Sequence, residues 1–227
     1  MGTREEAAGG SGPRGGNRPS SYVRGETAKR RILDVAMEEF AERGYWGASL
    51  MEIARRSQLS KPGLLHHFPS KQALLVAVTV ERDLRDRHGM GVADIFALRG
   101  LRILDMLDRL VERNAGRPGL VQLSHVLAAE SVGGDHPAAE HSRRHFTDAR
   151  RLVRTALEAG AEDDELRPGI DCAQLATQIV AVMEGLENQW LAEPESVDMV
   201  AVFHAYTRDL RERVRAVPGA ADPGAQD

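Results

Sequence analysis

The stretch SLMEIARRSQLSKPGLLHHF, Ser49 to Phe68, decides the fold. Ser49 stands three residues before Glu52, the spacing of a capping box. The serine oxygen is expected to take the Glu52 amide and the glutamate to return to the Ser49 amide. Leu50, Ile53 and Ala54 then recur at helical spacing. Ser57-Gln58-Leu59 breaks the period, and Ser60 can cap a second short helix from Lys61 to His67, where Pro62 is tolerated in the first turn. Two such short helices joined by so tight a turn cannot fold back antiparallel. They cross steeply as a helix-turn-helix, with the N-terminal end of the second helix free to enter a DNA major groove.

The side chains fit that use. Ser49 and Ser60 put hydroxyls and free amides at helix N-termini, which attract phosphate oxygens. Lys61 and Lys71 add cations, and His66 and His67 add ring N–H donors. Gly63, behind Pro62, lets backbone approach a base edge. Leu64 and Phe68 read as core, while Leu65 either meets a thymine methyl or packs under the helix. His66 and His67 sit about 100° apart on a helix, so only one can face inward. The expected DNA-binding set is Ser49, Ser60, Lys61, Pro62, Gly63, Leu65, His66, His67 and Lys71.

Working outward, Ile32, Leu33, Ala36, Phe40 and Ala41 predict a first helix from Thr27 that Gly44 closes. Ser70 caps a fourth helix running to about Arg87, and Gly89 and Gly91 interrupt after it. Further helical runs follow over 98–114, 120–131 and 136–159. A second capping box, Asp171-x-x-Gln174, opens a helix to about Leu191, and Ser196 opens the last, to about Val214. No window alternates with period two. The expected fold is all-α with about nine helices: an N-terminal three-helix helix-turn-helix DNA-binding head and a helical ligand-binding and dimerisation body. The expected division is a disordered arm over 1–25, rich in glycine and arginine, the head over 26–72, the body over 73–216, and a disordered tail over 217–227. The arm is either a solvated tail or a contact to DNA phosphates.

Charge follows the same division. Residues 1–72 hold 12 Lys and Arg against 8 Asp and Glu, and residues 73–227 hold 18 against 26, so a basic head sits on an acidic body. One cysteine, Cys172, excludes an internal disulfide framework and a cysteine-based zinc finger. No apolar run approaches the roughly 20 residues of a membrane span, so a cytoplasmic protein with no membrane partner is expected. Neither a glycine-rich phosphate loop nor a nucleophile elbow is present. No enzyme activity and no cofactor are expected.

Residues 30–75 resemble the DNA-binding domain of the TetR family of bacterial repressors. The resemblance is carried by Ile32-Leu33, Ala36, Phe40, Gly44-Tyr45, Ser49, Ile53-Ala54, Leu59-Ser60, His67-Phe68 and Ser70-Lys71-Gln72. It implies that His67 and Lys71 contact phosphate. Three positions depart from the family pattern: Gln58 and Pro62 stand where many members have glycine, and Leu65 where an aromatic commonly contacts phosphate. Leu127-Ala128-Ala129-Glu130, His136-Pro137-Ala138 and the ending Leu186-Glu187-Asn188-Gln189-Trp190-Leu191 also look like members of this family. The resemblance implies a homodimer through the last two helices, paired with their twofold mates as a four-helix bundle.

The expected dimer seam is Ile179, Val182, Met183, Leu186, Val200, Phe203, Tyr206 and Leu210, the alternative for these stripes being the chain's own core. An aliphatic body with few aromatics leaves room for an apolar cavity. Its expected walls are Met106, Leu110, Leu123, Val126, Leu127, Phe146 and Met183, with His125, Glu130 and Trp190 as the polar groups. His141 and His145, at i and i+4, have the spacing of two metal ligands but lack a third. A charged helix face is expected there and no metal. The expected function is a dimeric regulator, a repressor released from a palindromic double-stranded DNA operator by an unknown small-molecule effector. The alternatives are an activator or a ligand-independent regulator, and more distantly a helical enzyme or interaction module.

Overall fold

The structure is a computed structural model that describes residues 21–89 and 97–216. Most of the expected arm (1–20), the break at Gly91 and the tail 217–227 lie outside the described residues. Within them the chain is all-α, with nine helices: α1 (Ser21–Gly47), α2 (Leu50–Arg56), α3 (Lys61–His67), α4 (Lys71–Gly89), α5 (Arg102–Ala115), α6 (Pro118–Glu130), α7 (Ala139–Glu162), α8 (Cys172–Ala192) and α9 (Met199–Val214). Among the described residues the only extended pairing is an isolated bridge between Leu166 and Arg215.

Three local expectations change. α1 begins at Ser21 rather than Thr27, inside the stretch expected to be disordered. The last helix is capped by Asp198, whose carboxylate accepts the Ala201 N–H, and Ser196 lies in the preceding turn. The capping box at Ser49 is half made: Ser49 Oγ takes the Glu52 N–H at 3.4 Å, but Glu52 turns away to pair with Arg55.

α2 ends in a Schellman motif. The Leu59 N–H reaches the Ala54 carbonyl at 2.9 Å and the Gln58 N–H reaches that of Arg55 at 3.1 Å. The motif puts Gln58 at φ 57°, the left-handed region where a Cβ is strained and glycine is not. Glycine at this position should therefore raise stability by about 1 kcal/mol, a gain of roughly 2–4 °C in melting temperature for a chain of this size. Calorimetry of Gln58→Gly checks this, and an unchanged or lower melting temperature contradicts it.

Two apolar cores form. In the first, α1 contributes Ile32, Ala36 and Phe40, α2 Ile53, α3 Leu64 and α4 Leu74, Leu75 and Val78. The first half of α4 thus packs with the head, beyond the boundary expected at residue 72. α6 lays Leu123 and Leu127 into the same core, with Ala138 beside them. The second core joins α5, α7, α8 and α9 around Leu104, Leu157, Ile179 and Phe203. Ile179, Met183, Phe203 and Leu210, expected in the dimer seam, are all buried here in their own chain. The stripes of α8 and α9 are the faces these helices turn toward α7 and α5. Val182, Leu186, Val200 and Tyr206 are half-buried at the edge of this core.

Candidate nucleic-acid interface

Burial sets the α2–α3 pair. Ile53, Ala54, Leu64 and Phe68 pin the inner faces, which leaves both N-termini outward. Ser60 caps α3 by accepting the Gly63 N–H at 3.2 Å. A Cβ at Gly63 would stand 3.3 Å from that oxygen, so the glycine serves the cap as well as any close approach to DNA. Ser49, Ser60, Lys61, Pro62 and His66 are exposed, while Gly63, Leu65 and His67 are half-buried. Leu65 packs against the head core, which favours the second of its two readings.

The amide of Ser49 has a partner that sequence reasoning missed. Glu39, only 1% exposed, accepts it at 3.1 Å and lies 3.4 Å from Arg43 Nε and 3.6 Å from Arg56 Nη1. A buried carboxylate between two guanidinium groups thus ties α1 to the start of α2. Its position next to Phe40, on the buried side of α1, was the available signal. Trp46 and Met51, beside Ser49, are 67% and 68% exposed and add large apolar surface to the face that carries Ser49.

Lys71 is not a free surface cation. Its Nζ donates to the Trp46 carbonyl at 3.2 Å and sits 5.0 Å from the Tyr45 ring centroid. Burial pushes its pKa below the ordinary value, against the raising influence of Glu130 and Glu39. One of the three ammonium protons is taken by the end of α1, and the others can serve a phosphate.

That end of α1 is where the body grips the head. Gly44 turns the chain at φ 66°, and the Tyr45 N–H that follows donates to Glu130 Oε2 at 2.7 Å. His136 Nε2 lies 3.3 Å from the same oxygen, while its Nδ1 accepts the Ala138 N–H at 3.1 Å. The His136 ring meets Tyr45 edge-on at 5.1 Å and Trp46 at 5.9 Å. Glu130, expected in a ligand pocket, belongs to this joint. Burial lowers the His136 pKa from its ordinary 6.5, and the Glu130 charge only partly opposes that. The unfolded chain therefore takes up this proton first, so stability is whole above pH 6.5 and is lost as pH falls through the lowered value. The melting temperature should be lower at about pH 5.5 than at about pH 7.5, and less so in His136→Gln; equal differences in the two proteins would contradict this.

Among the described residues the expected cavity walls are spread over both cores. Leu123 and Leu127 pack on the head, Met106 and Met183 lie in the body core, and Leu110 and Trp190 lie against it. Val126 is half-buried. Phe146 and Leu127 border a cleft between α4, α6 and α7, with Thr79, Arg82, Ser124 and His145, whose free volume of about 10 Å³ is room for one water. His125 points the other way, to α8, where its Nε2 lies 3.0 Å from Glu187 Oε2. An open groove of about 900 Å³ lies between α1, α4 and the start of α6, and none of the expected wall residues borders it.

Residues 32–78 match the family described as bacterial regulatory proteins of the tetR family, and residues 124–200 match the tetracyclin repressor-like C-terminal domain. Over 193 residues the chain is 26% identical to the HTH-type transcriptional regulator UidR of Escherichia coli, covering 85% of this chain and 93% of that one. Over 66 residues it is 42% identical to the HTH-type transcriptional activator FasR of Mycolicibacterium smegmatis, covering 29% and 30%. A solved TetR transcriptional regulator from Chloroflexus aurantiacus superposes with a TM-score of 0.73 at 24% identity, covering 86% of this chain and all of that one. Among the described residues no helix is long and apolar enough to cross a membrane.

Proposed function

This chain belongs to the TetR family of bacterial regulatory proteins and is a DNA-binding transcriptional regulator, not an enzyme; from that premise we propose that it is a dimeric repressor, released from a palindromic operator by an effector bound in the body. The observation that carries this proposal is the joint match of a head over 32–78 and an effector-type body over 124–200. α3 lies in the major groove, with Ser60, Lys61, His66 and His67 toward DNA, while Ser49 and Lys71 hold phosphates on either side. The FasR likeness covers 66 residues, 29% of this chain and 30% of that one, and fixes no sign of regulation. Repression follows from occupancy alone, since a dimer seated on promoter DNA excludes polymerase without further contacts.

The bodies pair through the outer sides of α8 and α9. Ala173, Thr177, Ala181 and Gly185 repeat every fourth residue along α8, and a Cβ at Gly185 would meet nothing within 4 Å beyond its chain neighbours and the helix's own backbone. Ala201 and Val202, exposed on α9, continue this face. Small side chains let helices approach to the short end of the usual 8–10 Å. Ala181→Arg places a charge in that seam and should halve the sedimenting mass while leaving each chain folded. Wild-type protein that sediments as a monomer at micromolar concentration would contradict the pairing.

The heads of a dimer must fit grooves about 34 Å apart, or a multiple of this. α6 carries Leu127 and Glu130 to the head and His125 to α8, so an effector that favours another position of α6 changes head spacing and lowers operator affinity by linkage. Nuclease footprinting on DNA upstream of the chain's own gene should show a protected palindrome. Uniform cleavage at saturating protein would contradict the proposal.

A further inference from the structure

We propose that His125, His145, Glu184 and Glu187 form a site for one first-row divalent cation between α6, α7 and α8. The inference deepens the reading of the body as an effector domain and rests on it for its regulatory consequence. His125 Nε2 lies 3.0 Å from Glu187 Oε2, His125 Nδ1 lies 3.8 Å from Glu184 Oε2, and His145 Nε2 lies 3.6 Å from Glu184 Oε1. One ligand atom each from His125, Glu184 and Glu187 lies within 4.8 Å of the other two, and His145 reaches this group through Glu184. Ligand atoms around a tetrahedral ion with bonds of about 2.0–2.2 Å stand roughly 3.3–3.6 Å apart, so the shell closes when the Glu184 carboxylate turns from Nδ1 of His125 toward the Nε2 side that faces Glu187.

The surroundings favour a metal over a plain ion-pair network. The Glu187 and Glu184 side chains are 7% and 18% exposed, and two carboxylates so placed cost more than apolar residues of the same size unless a positive charge compensates them. One divalent ion neutralises both. Asn114 Nδ2 donates to the far oxygen of Glu187 at 2.7 Å, the outer support that a metal-bound carboxylate needs. Two imidazoles with two carboxylates suit zinc, and also iron or nickel. The pair at 141 and 145 is split by the fold: His141 faces Asp83 at 3.9 Å, and His145 turns to the cluster.

An ion here joins α6 to α8 a little more than one turn from Glu130, the carboxylate that holds the Tyr45 N–H of the head. Full-length protein, stripped with chelator, is titrated with Zn²⁺ by calorimetry and with Co²⁺ by visible absorption. One ion should bind per chain. His145→Ala, a change at the partly exposed rim, and Glu184→Gln should each weaken binding at least 10-fold, as even loss of outer support does. His204→Ala, on α9 against Glu112, should leave it unchanged. Binding that survives His145→Ala and Glu184→Gln, or that is lost with His204→Ala, overturns the site. Operator affinity measured in chelator separates the two readings: protein that binds its palindrome but no Zn²⁺ refutes the ion site alone, and protein that binds Zn²⁺ but no DNA refutes the regulator.

Discussion

Gly44→Ala should lower the melting temperature by roughly 5–15 °C, the largest loss of stability expected from one small substitution in the head. Gly44 sits at φ 66°, so a Cβ is strained there by about 1–3 kcal/mol whatever its neighbours. The neighbour is also the wrong one. An added Cβ would collide with the Glu130 carboxylate and push it off the Tyr45 N–H, a charge-assisted bond worth about 1.5–3 kcal/mol. The same displacement disturbs His136 and loosens the end of α6 from α1. Gly119→Ala, within α6 and with nothing near its Cβ, should instead gain about 0.5–1 kcal/mol. Two variants melting alike would contradict the account of the joint.

Ser60→Asp combined with Lys61→Glu should reduce operator affinity at least 1,000-fold, about 4 kcal/mol, with little change in melting temperature. Aspartate keeps the N-cap that Ser60 supplies to Gly63, so folding is spared. Each head loses one cation and gains two negative charges against DNA, and a dimer suffers this twice. If Lys61 neutralises one phosphate per head, the salt dependence of binding should also become shallower by about two. Fluorescence anisotropy over a salt series reads both effects. A variant with wild-type affinity, or with an unchanged slope, would remove α3 from the interface.

The sequence carried the head well because local rules act there within a few residues. Ser49, Ser60 and Ser70 each accept an amide three residues on, and the apolar stripe around Phe40 and Leu64 was legible as core. The family's glycine preference at position 58 has a visible cause in the left-handed turn that Gln58 adopts. Partnerships across long sequence separations were not legible. The Glu39 carboxylate replaced the local return of Glu52, and Glu130 left its expected pocket to cap a turn 85 residues away. In the body, periodicity identified the apolar faces of α8 and α9 but not what covers them. Ile179 and Phe203 repeat as a seam residue would, and both lie in their own chain's core, at 0% exposure. His145 carried a ligand-like spacing with the wrong partner in sequence, because the carboxylate it meets, Glu184, lies on α8.

The central claim is that two copies of this chain read a palindrome through α3. An unbiased selection tests it most directly. Random duplex DNA is enriched on the purified full-length protein and sequenced, and the winning motif is then measured against the Ser60→Asp/Lys61→Glu protein. The account predicts a twofold-symmetric motif with half-sites about one helical turn apart, or a multiple of it, bound by the wild type and not by the variant. No enriched motif, or a motif that both proteins bind equally, would contradict it.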